Sequence, residues 1–112
     1  MRTRRKISDN EYLLVIDLIS SAKIDRLRME NLIRSARGAL VEPMSDGGMG
    51  SVKFVWDEGG RRKFDCELVE KQYLDLDNVP ISAAINLDQY GELFELDIWK
   101  VDFSEIKNFP SS

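Results

Sequence analysis

The sequence predicts an α+β domain in which two N-terminal helices pack on one face of a single antiparallel meander sheet of about five strands. Three observations carry this. Apolar residues recur at spacings of three and four up to Ala36, short runs alternating at period two replace them from Ala39 onward, and clusters rich in Gly, Asp, Asn and Pro separate those runs. The 112 residues are enough for one hydrophobic core, so the whole chain is expected to be one domain.

In chain order, residues 1–7 hold the basic run RTRRK, read as a solvated arm. SDNE, residues 8–11, has capping-box spacing: Ser8 can accept from the amide three residues on, and Glu11 can reach back, so a helix should begin there. Tyr12, Val15, Ile16, Ile19 and Ala22 form its apolar stripe, widened by Leu14 and Leu18. After a break at residues 23–25, Met29, Leu32, Ile33 and Ala36 repeat the pattern, and Gly38 is a natural stop. ALVEPM is the first strand-like run, SDGGMG a turn, and SVKFVW the second run, with Val52, Phe54 and Trp56 facing together. DEGG predicts a hairpin between that run and RRKFDCELVE. LDLDNVP is a longer connection, and Pro80 marks a strand start or an edge before ISAAINL. DQYG turns the chain into its last strand, and residues 104–112 form a docked or frayed tail.

That last strand, within GELFELDIWKVDF at residues 91–103, is the longest run that strand chemistry explains. Strict alternation puts Phe94, Leu96 and Ile98 on a core face. Leu93, Glu95, Asp97, Trp99, Val101 and Phe103 then share the other, where two carboxylates stand among apolar side chains. A buried carboxylate there would need a cation, and Arg34, Arg37 and Arg61 are the candidates; an accessible one would make the face a working surface.

Charge is divided unevenly along the chain. Residues 1–37 carry +4 and residues 38–112 carry −8, within a net charge of −4. The acidic part repels phosphate backbones and attracts basic partners, so neither nucleic acid nor a membrane is expected as a partner. The absence of histidine removes the commonest general base near neutral pH, the usual nucleophilic triads and the typical zinc sites. One cysteine, Cys66, excludes an internal disulfide and is read as a packed thiol in a reducing compartment. No apolar run reaches membrane-spanning length, and the basic start is followed by SDN rather than by a signal peptide's apolar stretch, so a cytoplasmic bacterial protein is expected.

Asp75 and Asp77, Asp88, and Glu95 and Asp97 are the carboxylate groups that could hold a hard cation. DLDNVP lacks the glycine and the distal glutamate of a calcium loop. DGGMGS lacks the Lys-Ser/Thr and the following helix of a phosphate cradle, which leaves Gly47, Gly48 and Gly50 as turn residues and Asp46 as a turn carboxylate that could also face the last strand.

With DGGMGS at residues 46–51 and ELDIWKVDFS at residues 95–104, the chain resembles a family of small bacterial domains of unassigned function. The resemblance extends to the opening helix and the D-x-D segment; at Asn78 and Val79 the sequence departs from the glycine that more usually follows the acidic pair. It implies membership and transfers no catalytic residue. A looser, compositional similarity is to immunity proteins that neutralise toxins. The functional expectation is therefore a non-enzymatic protein-binding module of the immunity type, without a cofactor. Its partner would be a basic protein docking on Glu95, Asp97 and Trp99, with Asp46, Asp75, Asp77 and Asp88 at the rim. The alternatives are a carboxylate-based metal or small-ligand site or enzyme, and a structural homodimer that buries Trp99 against its copy.

Overall fold

The computed structural model describes residues 4–44, 49–56 and 61–110. Two helices, α1 (Asp9–Ser20) and α2 (Arg26–Ala36), pack on a six-stranded sheet. Its strands are β1 (Arg5–Lys6), β2 (Leu40–Pro43), β3 (Val52–Val55), β4 (Phe64–Leu74), β5 (Pro80–Asp88) and β6 (Leu93–Lys100).

The helix starts follow the predicted chemistry. Ser8 Oγ accepts from the Glu11 amide at 3.1 Å, while the Glu11 carboxylate accepts from the Ser8 amide at 2.8 Å, closing the capping box. Both oxygens of that carboxylate also accept from Arg5 at 2.8 Å, which ties β1 to the start of α1. Burial pushes the Glu11 carboxyl up, but Arg5 and the Ser8 amide outweigh it and hold the group below its ordinary value. Asp25 caps α2 by accepting from the Arg28 amide at 2.8 Å. Gly38, with φ of 67°, turns the chain out of α2 in the left-handed region that favours glycine.

The strand order is β1-β2-β3-β6-β5-β4, every pairing antiparallel. Three expectations are corrected here. The sixth strand comes from the basic N-terminal segment, where Arg5 and Lys6 pair with Val41 and Leu40. The sheet is not a simple meander, because β6 inserts between β3 and β5. Nor do β3 and β4 form a hairpin; β2 pairs with β3, and β4 lies at the far edge against β5. The DEGG turn read at residues 57–60 lies outside the described residues. Loop composition marks where a chain turns but not which strand it meets next.

Both helices cover the same face. Leu14, Val15, Leu18 and Ile19 of α1 and Leu32 and Ala36 of α2 share a core with Val41, Val52, Phe54, Ile81, Ala83, Ile85, Leu87, Leu93, Leu96 and Ile98 from the sheet. Ile106 and Phe109 of the tail pack against this same core, so the tail docks on the helix side.

Candidate functional site

Pairing register determines what stands on the other face, because directly opposed residues project to the same side. Leu87 opposes Leu93 and Asn86 opposes Glu95, which leaves Phe94 as an extra residue in a β-bulge. The bulge resets the alternation in β6. Leu93 joins Leu96 and Ile98 in the core, contrary to strict period two, and Phe94 moves to the open face under the Lys53 ammonium, 5.2 Å from its ring centroid. Glu95, Asp97 and Trp99 project away from the helices and are half-buried.

Two more bulges, at the register shifts between Phe64 and Cys66 and between Glu67 and Val69, act on β4. They bring Glu67 opposite Asn86 and Glu70 opposite Ala84, both on the open face although three residues apart. Cys66, expected to be packed, stands opposite the core residue Leu87 but is exposed, because β4 is the edge strand. One transverse row thus runs Glu42, Lys53, Glu95, Asn86, Glu67 across five strands. The next holds Asp97, Ala84 and Glu70, and the third Trp99, Ser82 and Gln72.

Along these rows five carboxylates accompany one lysine, and no ion pair among the described residues engages Glu42, Glu67, Glu70, Glu95 or Asp97. Arg34, Arg37 and Arg61 are therefore not partners of the β6 carboxylates. Glu95 accepts from Asn86 Nδ2 at 3.1 Å, and Asp97 Oδ1 lies 3.1 Å from Ser51 Oγ. That hydroxyl also accepts from the buried Ile98 amide at 2.8 Å, continuing the β3–β6 seam through a side chain.

The remaining carboxylates named from sequence are committed elsewhere. Asp88 is paired with Arg62 Nε at 2.7 Å and accepts from the Tyr90 and Glu92 amides, both at 2.9 Å. Burial pushes its carboxyl up, but these donors prevail and hold it below its usual range. Arg62 also donates to the Phe54 and Leu93 carbonyls, with its guanidinium carbon 5.3 Å from the Phe94 ring centroid and 5.8 Å from that of Trp56.

At the other end of the sheet, Lys100 is fully buried between Asp75 at 3.0 Å and Asp77 at 2.5 Å. Asp75 accepts from the Lys107 and Asn108 amides at 2.7 and 2.9 Å, pinning the tail. Burial would raise the Asp75 carboxyl, yet these amides and Lys100 hold it down to about 2. Lys100 hydrogen-bonds Asp77 and holds that carboxyl low as well. Asp75, Asp77 and Asp88 are thus internal counter-ions rather than a rim field. Asp46 lies outside the described residues.

Glu42, Glu67 and Glu70 were missed from sequence. Glu42 alternates correctly in its run and could have been found; Glu67 and Glu70 could not, because a bulge joins them. Asn78 takes the left-handed conformation, φ 65°, that the missing glycine would have supplied. A metal or small-ligand site required Asp97 to converge with at least two further carboxylates. Among the described residues no group of three or more His, Cys, Asp or Glu is placed to hold an ion. A cleft of about 490 Å³ lies on the helix side between Asn10, Leu13 and Asp17 of α1 and Asn108–Pro110 of the tail.

Fold and site together define a two-layer α+β domain with one covered sheet face and one open acidic one. Residues 4–110 match the family described as a domain of unknown function, DUF6984, and the chain belongs to that family. No curated protein and no solved structure matches it. No helix among the described residues is long and apolar enough to cross a membrane.

Proposed function

We propose that the domain is a non-enzymatic protein-binding module, of the immunity-inhibitor type, that docks a basic protein on the open face of its sheet. The observation that supports this is the state of Glu95 and Asp97: both are half-buried on the uncovered face and neither is paired with a cation among the described residues. Elsewhere the chain gives its buried carboxylates explicit counter-ions, as at Asp88 and Asp75. An arginine or lysine from outside would complete the same arrangement on the open face, with Trp99 beside it as an aromatic anchor.

The test is retention of proteins from a lysate of the native organism on the immobilised domain, run beside the Glu95→Gln/Asp97→Asn variant. A basic protein held by the native domain, released by salt and lost from the variant is the expected result, and inhibition of a toxic activity of that protein would assign the immunity role. Equal retention on both, indifferent to salt, counts against the reading.

A further inference from the structure

We infer that the occupant of the open face is a cationic amphipathic helix of the partner, laid along β5, with its apolar end at one corner of the sheet and its Lys/Arg residues over the acidic rows. This rests on the protein-binding reading above and specifies the chemistry of its partner.

Beyond Trp99, Ser82 and Gln72, a last row holds Leu74 opposite Pro80, with the Val101 amide donating to the Pro80 carbonyl at 3.0 Å. Leu74 is 69% exposed and Val101 42%. Leu76 and Phe103, in the turns at this end, are each 74% exposed, and Phe103 is held there at φ 58°, an uncommon backbone state for a bulky residue. Leu74 and Val101 therefore give the acidic rows an apolar end on the same face, with Leu76 and Phe103 exposed in the adjoining turns. Between them the outward residues of β5 are short: Ser82, Ala84 and Asn86 are buried beneath Gln72, Glu70 and Glu67 on one side and Trp99, Asp97 and Glu95 on the other. The result is a shallow lane whose axis follows the strand.

From Pro80 to Asn86 the lane is ~20 Å long at the rise of a β-strand, the length of roughly 13 helical residues. The sheet's backbone groups in this lane already bond neighbouring strands. An extended segment laid on top would leave its own amides unpaired, whereas a helix satisfies them internally. A second copy of this chain joined by the same face would set carboxylates against carboxylates, and a phosphate-bearing surface is repelled for the same reason.

The experiment uses the full chain and two 14-residue peptides of identical Leu, Ala, Arg and Lys composition. In one, the leucines occupy a single face of the first turns and the cations the same face of the later turns; the other is scrambled. Anisotropy of the labelled peptides should show the patterned one binding ~10-fold or more tighter, gaining helical circular dichroism as it binds. Leu74→Ser with Val101→Ser, both exposed and so compatible with folding, should remove most of that advantage; Glu95→Gln with Asp97→Asn should flatten the salt dependence of both peptides. Equal binding of the two peptides, still sensitive to Glu95 and Asp97, overturns the helix and leaves the acidic docking face standing. Indifference of all binding to Glu95 and Asp97 overturns both. Self-association abolished by Leu74→Ser would place a second copy on the corner and also overturn the inference.

Discussion

Asp88 and Asp75, at opposite ends of the sheet, are closed off by the chain's own donors, whereas Glu95 and Asp97, in the middle of the open face, hydrogen-bond to neutral side chains and make no ion pair among the described residues. Asp88 has Arg62 and two amides; Asp75 has Lys100 and three amides. Glu95 has Asn86 and Asp97 has Ser51. The end carboxylates fasten loops and tail to the sheet, and their removal should be read in stability. The middle ones fasten nothing of comparable weight, and their removal should be read in binding.

The largest expected effect is at the closed end. Asp88→Ala would leave the Arg62 guanidinium, only 14% exposed, without its counter-ion and orphan two turn amides. Breaking one side of a buried pair typically costs about 3–5 kcal/mol. Urea unfolding should show that loss; one below about 1 kcal/mol would mean that the pair is incidental and would erase the contrast.

Acid titration separates the same two groups without mutation. A carboxyl held lower in the folded chain than in the unfolded one contributes stability that is present in full above its unfolded value and is lost as pH falls toward its folded value. For Asp75 the window runs from the ordinary 3.8 down to about 2. Asp17, Asp77 and Asp88 are shifted in the same direction and add to the slope. The melting temperature should therefore fall steeply below pH 4, and Asp75→Asn, less stable at pH 7, should show a shallower fall. An unchanged slope in the variant would remove Asp75 from the account.

Ser51→Ala tests the boundary between the two regions, since Ser51 is buried yet touches Asp97. The substitution orphans the Ile98 amide in the middle of the sheet, and a lost bond of that kind costs about 1–3 kcal/mol. Ser51→Thr, which keeps the hydroxyl, should recover part of the loss unless its extra methyl crowds the seam. Equal losses for alanine and threonine would indicate that packing, not the hydroxyl, sets the cost.

How much of this was legible in the sequence depended on whether the signal was local. The capping box at Ser8 and Glu11, the apolar stripes of both helices and the stop at Gly38 involve residues within a few positions of one another, and the structure reproduces them. Leu93, Phe94, Glu67 and Glu70 were misplaced or missed because three bulges reset the period of two, and a bulge depends on the partner strand; Cys66 was misread because nothing local marks β4 as the edge strand. Lys100 carried no mark of its role. It alternates with Ile98 and Leu96 as a core position, and only the turn bearing Asp75 and Asp77 explains a buried ammonium there. The residues 1–7 read as an arm because a two-residue strand is too short for any pattern to reveal.

The smallest effect on stability is expected from Glu95→Gln and Asp97→Asn, and it is the one on which the comparison turns. Each substitution keeps the shape of the side chain and removes its charge. Glutamine can still accept from Asn86 through its carbonyl, and asparagine can still accept from Ser51. No cation is left alone by either change, so unfolding free energy should move by no more than about 0.5 kcal/mol, as for ordinary surface substitutions. Loss of two negative charges from an acidic face could even stabilise the sheet slightly, because Glu42, Glu67 and Glu70 occupy the same rows. A destabilisation of 3 kcal/mol or so, comparable to that at Asp88, would show that these carboxylates hold the fold together after all. With stability unchanged, a weakened and less salt-dependent attachment of a basic partner would locate the function of the open face in its uncompensated charge.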